Sequence, residues 1–276
     1  MPVAVVTDSA AALPEELASK LGVEVVPMQL EIGGRPVSEA EVTLEELVAR
    51  LDDGVRTSGP APGRFAEAIE RADTGDGVLV TTVAERLSST YQSAMTAVRS
   101  LGPSRRVRVV DTGTAAGAEG LVVVAAAQLA SDGASLDQVA GEAERVSGRV
   151  RLVAAVEDLR YLIRGGRVPA SAARAGTRLG VRVLFELRQA RVRPLLPTFG
   201  SERALEQLLA HWRRSRPPDR RLHVASLHAM RPELAEELLD AVCREVEPAT
   251  SFCATFGPVM VAHTGAGIIG LAWWWE

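Results

Sequence analysis

Through the first half of the chain, short β-branched apolar runs alternate with stretches whose apolar residues recur every three or four positions. The runs at 3–6, 23–30, 78–82, 107–111 and 150–156 have the length and branching of buried strands. Helical spacing between them predicts helices over 64–71, 90–101, 118–130 and 136–147. The punctuation agrees. Pro14 falls where a first helical turn begins, ahead of Leu17 and Leu21. Gly33-Gly34 closes the second apolar run. Thr43 and Glu46 form a capping box at the head of a helix whose inner face is Leu44, Leu47 and Leu51. Strands alternating with helices predict a mostly parallel sheet covered on both faces, a three-layer α/β/α domain over 1–155.

The second half has a different rhythm. Apolar runs at 181–187 and 192–196 flank Gln189-Ala190, the pattern of a hairpin. Helices are expected at 202–213 and 233–246, and strands at 222–227, 251–256, 259–263 and 268–274. This mixture predicts a smaller, two-layer α+β domain over 156–276.

Composition narrows the function classes. With 47% apolar and 24% charged residues, the 276-residue chain has the composition of a folded protein. At that length a core buries roughly three quarters of the unfolded surface, which leaves room for an internal apolar pocket. A net charge of -4 and a pI near 5.7 do not suit a nucleic-acid binder. Two cysteines, Cys243 and Cys253, make neither a disulfide framework nor a metal site. No run of eighteen apolar residues occurs and no basic segment precedes the first apolar run, so a cytoplasmic protein without a membrane span is expected. No cofactor is implied.

In parallel α/β sheets, ligands bind beyond the carboxyl ends of the strands. Four clusters of small hydroxyl and glycine residues fall there: Thr7-Asp8-Ser9, Thr57-Ser58-Gly59-Pro60, Ser88-Ser89-Thr90 and Asp111-Thr112-Gly113-Thr114. Any one of them alone is equally a turn or a helix cap. Together they offer neutral donors suited to one anionic headgroup. Neither a nucleophile elbow nor a P-loop occurs. A hydrolase or transferase acting on acyl or phosphate esters through Ser88 or Ser89, with His263, is the alternative, although no orienting carboxylate is evident. The literal G-x-G-x-x-G at 265–270 lacks the following helix and acidic residue of a dinucleotide site. A glycine-rich hairpin that lets backbone approach a ligand at Gly265 fits it better.

In order along the chain, Val6-Thr7-Asp8-Ser9 with Leu13-Pro14, Thr57-Ser58-Gly59-Pro60, the run from Leu87 to Ala94 (LSSTYQSA), the run from Leu159 to Arg167 (LRYLIRGGR) and His263-Thr264-Gly265-Ala266-Gly267 resemble motifs of the DegV family of fatty-acid-binding proteins. The resemblance implies two lobes with exchanged segments and one long-chain fatty acid buried between them. It implies that Thr57 and Ser88 hold the carboxylate, with Ser58, Ser89 and His263 nearby. It also implies a fatty acid kinase subunit as the partner that phosphorylates the presented acid. The chain departs from the family pattern at Gly59, where glutamine is usual, at Ala266, where proline is usual, and over 178–193. Eight arginines against one glutamate between 164 and 193 give a local charge of +7. They either solvate a face or form a docking patch around Arg164, Arg167 and Arg174.

Overall fold

The computed structural model describes residues 2–168 and 180–276. The first sheet is wholly parallel. Its strands, β1 (Ala4–Asp8), β2 (Val23–Val26), β6 (Val78–Thr82) and β7 (Val107–Asp111), run in the order β2-β1-β6-β7. Helices α3 (Pro62–Ala72) and α4 (Thr90–Leu101) cover one face, packing Phe65, Ile69, Ala94 and Ala97 on Val6, Val78 and Val80. α1 (Glu15–Leu21) follows β1 and is closed by Gly22 in the left-handed conformation.

The second sheet is mixed. β8 (Arg151–Val156), β9 (Val181–Arg188), β10 (Arg191–Pro194), β12 (Leu222–His228), β13 (Thr250–Thr255) and β14 (Ile269–Trp275) run in the order β10-β9-β8-β14-β12-β13. The two-residue β11 (Thr198–Phe199) pairs with β9. Outside it lie α8 (Gly200–Arg214) and α9 (Pro232–Glu245), with Leu205, Leu208, Trp212, Leu238 and Val242 buried against Trp273 and Leu271.

Between the sheets lie α5 (Ala116–Ser131) and α6 (Leu136–Ser147). α5 is apolar all round because it has two partners: β1 on one side, and β8, β12 and β14 on the other. A Cβ on Gly117 would stand 3.0 Å from Ala225 and Leu227, so the helix lies close on the second sheet.

Three expectations are corrected. The run at 23–30 is two strands in different sheets. Pro27, which has no amide to offer, separates β2 from β3 (Gln29–Ile32). β3 forms a small antiparallel sheet with β4 (Arg35–Ser38) and β5 (Arg56–Ser58), and α2 (Leu44–Ala49) keeps the expected capping box on Thr43 and Glu46. The run at 150–156 pairs with β9 and β14, not with the parallel sheet. On sheet membership we propose that the two lobes divide just before β8 rather than after residue 155. Finally, 259–263 is helical. α7 (Arg160–Arg164) is followed much later by α10 (Pro258–Thr264), which has proline at its first position and packs on α2, α7 and β5. The small sheet thus reaches across onto a helix from the other end of the chain. The expected hairpin tip holds: Gln189 and Ala190 both take positive φ, as a tight two-residue turn requires.

Candidate functional site

A cavity lies between the two sheets. Its free space, counting the open mouth, is about 870 Å³. The wall is mostly apolar, and its polar side chains gather at one end: Thr57, Ser58, Ser88, Ser89, Arg167, His263 and Thr264. They come from distant parts of the chain. β5 carries Thr57 and Ser58, the turn before α4 carries the two serines, the segment after α7 carries Arg167, and the last turn of α10 carries His263.

Hydrogen bonds fix this end. Thr57 Oγ1 and His263 Nε2 are 2.7 Å apart. Burial, helped by the positive charges of Arg167 and Arg164, pushes His263 down to about 4, so it is neutral at pH 7. The ring packs directly on Gly165, where a Cβ would stand 2.5 Å from Nδ1. Ser88 Oγ is 2.8 Å from Thr90 Oγ1 and also accepts the Thr90 amide. Gly59 lies so close to α4 that a Cβ would stand 2.6 Å from Thr90 Oγ1. The departure from glutamine at this position therefore goes with close packing of the loop on the helix.

Arg167 lies on the cavity wall, not on an outer face. Its Nε donates to the Leu87 carbonyl at 3.1 Å and its Nη1 to the Gly165 carbonyl at 2.5 Å. Burial pulls its pKa down from the usual arginine value. Arg164 is turned away from the cavity. It donates to the Leu51 carbonyl at 2.6 Å, sits 3.8 Å from Asp52 and stacks on the Tyr161 ring, fastening α7 to the end of α2. Arg174 lies outside the described residues. Arg182 is buried and bonded to Glu157, Ser201 and the Gly267 carbonyl, so the arginine-dense segment is not a uniform surface patch.

Only two of the four hydroxyl clusters bring side chains to the cavity. Asp8 is buried and accepts the amides of Ala10 and Val83, both at 2.9 Å. Thr112 donates to the Thr82 carbonyl. These residues tie strand-end loops together. Gly265 does not line the cavity either. Its left-handed backbone lets Tyr161 approach, and a Cβ there would stand 2.7 Å from the ring. Nor is the segment 265–270 a hairpin, because it links α10 to β14. The apolar wall is not legible in the sequence, since alternation marks Phe185, Leu187 and Leu152 as buried without saying that a cavity lies beside them.

Fold and site together define an α/β protein of two large sheets and one small one, with an internal apolar cavity that has one polar end. The chain belongs to the DegV family: the family model "Uncharacterised protein, DegV family" matches residues 2–276. A DegV domain-containing protein of Streptomyces coelicolor is 34% identical, over 98% of this chain and 97% of that one. A Thermotoga maritima protein named fatty acid-binding protein is 27% identical over 98% of this chain and 96% of its own length. Among solved structures, that of a DegV family protein from Thermus thermophilus, described for its fatty acid binding, superposes with a TM-score of 0.90 at 30% identity, covering 100% of both chains. No helix among the described residues is long and apolar enough to cross a membrane.

Proposed function

We propose that the protein binds one long-chain fatty acid in this cavity, with the acyl chain along the apolar wall and the carboxylate at the polar end. The carrying observation is the segregation of the wall: Arg167, Thr57, Ser88 and His263 stand together at one end of an otherwise apolar cavity. Arg167 has five N–H donors, and the two described bonds leave others for an anion. Neutral His263 and the hydroxyls add hydrogen bonds without a second full charge. The relatives named for fatty acid binding support the same ligand class. As a finer proposal, the protein presents this carboxylate to a fatty acid kinase subunit that forms the acyl-phosphate.

The geometry does not favour ester hydrolysis. Ser88 is bonded to Thr90, and His263 is bonded to Thr57 rather than to either serine. Burying an acyl chain contributes about 0.8 kcal/mol per methylene, enough for the ligand to survive chromatography. Protein purified without added lipid should therefore release a stoichiometric fatty acid into organic solvent, as read by mass spectrometry. A preparation with no acyl species that also fails to bind added palmitate would overturn the proposal.

A further inference from the structure

The cavity has a definite far end, and its position follows from the register of the second sheet. Alternate residues of β8 and β9 face the space between the sheets: Leu152, Ala154 and Val156 on one strand, Val183, Phe185 and Leu187 on the other. The polar end lies beyond Val156 and Val183, because α7 and Arg167 follow β8 there and His263 precedes β14 on the same side. The opposite end is the row in which Leu152 pairs with Leu187, and Leu187 in turn with Val192 of β10. All three of these residues line the cavity.

One row further on the character changes. The hairpin tip, Gln189-Ala190, does not line the cavity. Gln189 donates to the Gly148 carbonyl, and the Ala190 amide donates to the Gly113 carbonyl at 2.5 Å, which fastens the second sheet's hairpin to the loop after β7. The tip also rests on Gly113, where a Cβ would stand 3.5 Å from the Ala190 nitrogen. Behind Leu187 there is thus bonded backbone rather than space that could yield to a longer ligand.

We infer that Leu187, with Leu152 and Val192, is the stop against which the ligand's apolar end rests, and that it sets the longest ligand the cavity accepts. The inference rests on the fatty-acid reading above and adds to it a residue that determines specificity. The four strand positions between the rows span about 13 Å at roughly 3.3 Å each. That is about ten methylenes of extended chain, because carbon–carbon bonds of about 1.5 Å in a zigzag advance about 1.3 Å per carbon along its axis. The headgroup region adds the remainder.

The test is a binding series of saturated fatty acids from twelve to twenty carbons, run on the parent, Leu187→Ala, Leu187→Phe and Val192→Ala. In the parent, affinity should climb with length and then drop sharply once the cavity is full. Leu187→Ala should move the drop to ligands longer by about two carbons, because the removed side chain leaves space at the end of the row. Leu187→Phe should move it the other way. Val192→Ala, at a half-buried position, gives a shift in the same direction as Leu187→Ala if that variant does not fold. A drop at the same length in every folded variant, with the parent still binding, overturns the assignment of the stop. A parent that binds none of the series overturns the fatty-acid reading itself, a separate result.

Discussion

The two ends of the cavity are built on different principles. At the polar end, side chains from four distant segments meet, and each has a partner that fixes it: Thr57 with His263, Ser88 with Thr90, Arg167 with the Leu87 carbonyl. At the apolar end, three neighbouring strands present one leucine or valine each from a single row. A polar atom inside a protein must find its partner in a narrow range of distance and angle, so its position cannot drift. An apolar side chain needs only the right volume, and several residues would serve. The headgroup end should therefore be intolerant of substitution, whereas the tail end should be tunable.

The largest expected effect is at Arg167. Arg167→Ala removes the cation proposed to meet the carboxylate, and truncating one partner of a buried charge pair typically costs about 2–5 kcal/mol. Fatty acid affinity should fall by about a hundredfold, and Arg167→Lys should recover only part of it because the forked geometry is lost. Displacement of a fluorescent fatty acid measures both. Unchanged affinity in Arg167→Ala would mean that this residue only ties the Leu87 and Gly165 carbonyls together and does not contact the ligand.

Smaller losses are expected at the hydroxyls. Ser88→Ala and Thr57→Val should each weaken binding by about tenfold, since a hydrogen bond to a charged group contributes roughly 1.5–3 kcal/mol. The double variant should lose less than the sum, because both groups address one carboxylate. Thr57→Val also frees His263, so its effect should depend on pH more than that of Ser88→Ala. Isothermal titration of the three variants at two pH values sharpens the contrast with Leu187, where length preference rather than overall affinity should change.

The last expected effect lies outside the cavity and concerns stability rather than binding, in the buried carboxyl groups beneath the parallel sheet's edge. Burial raises Asp8 from 3.8 to about 7, against the pull of the Val83 and Ala10 amides, and Glu119 is also raised by burial and by its proximity to Asp8. Between about pH 4 and pH 7 the folded state therefore holds a proton at Asp8 that the unfolded chain has released. Stability from this group is full below the unfolded value and is lost as pH rises through the folded one. His263 acts in the opposite sense: its folded value near 4 means that stability is lost as pH falls below 6.5. Urea midpoints from pH 4 to 8 should fall less steeply with rising pH in Asp8→Asn than in the parent. Parallel curves would show that Asp8 is ionised in the fold throughout.

Much of this was legible without a structure, for identifiable reasons. Helices α4 and α6 begin and end where helical spacing begins and ends, and the Gln189-Ala190 hairpin forms as its flanking runs predict. Thr57, Ser88 and His263 stand out as motif residues and do meet at the cavity. The errors have separate causes. Val259–His263 is an apolar run too short for its period to distinguish helix from strand, and the Gly257-Pro258 start signal was the better guide. Gly265 looked like a ligand contact because glycine marks close approach, but the sequence does not say what approaches; it is the Tyr161 ring.

The sequence by itself determined most of the local structure: where the longer helices and the apolar strands run, which faces are apolar, and which hydroxyls sit where strands end. Those properties depend on neighbours within a few positions, and the pattern of side chains carries them directly. The tertiary structure decided everything that joins residues far apart. It assigned β8 to the second sheet, carried β5 with Thr57 across to α10, and turned Arg167 inward while Arg164 was tied to Leu51. Two arginines three positions apart have the same chemistry in sequence, and only the packing around them decides that one lies on the cavity wall and the other fastens α7 to the end of α2.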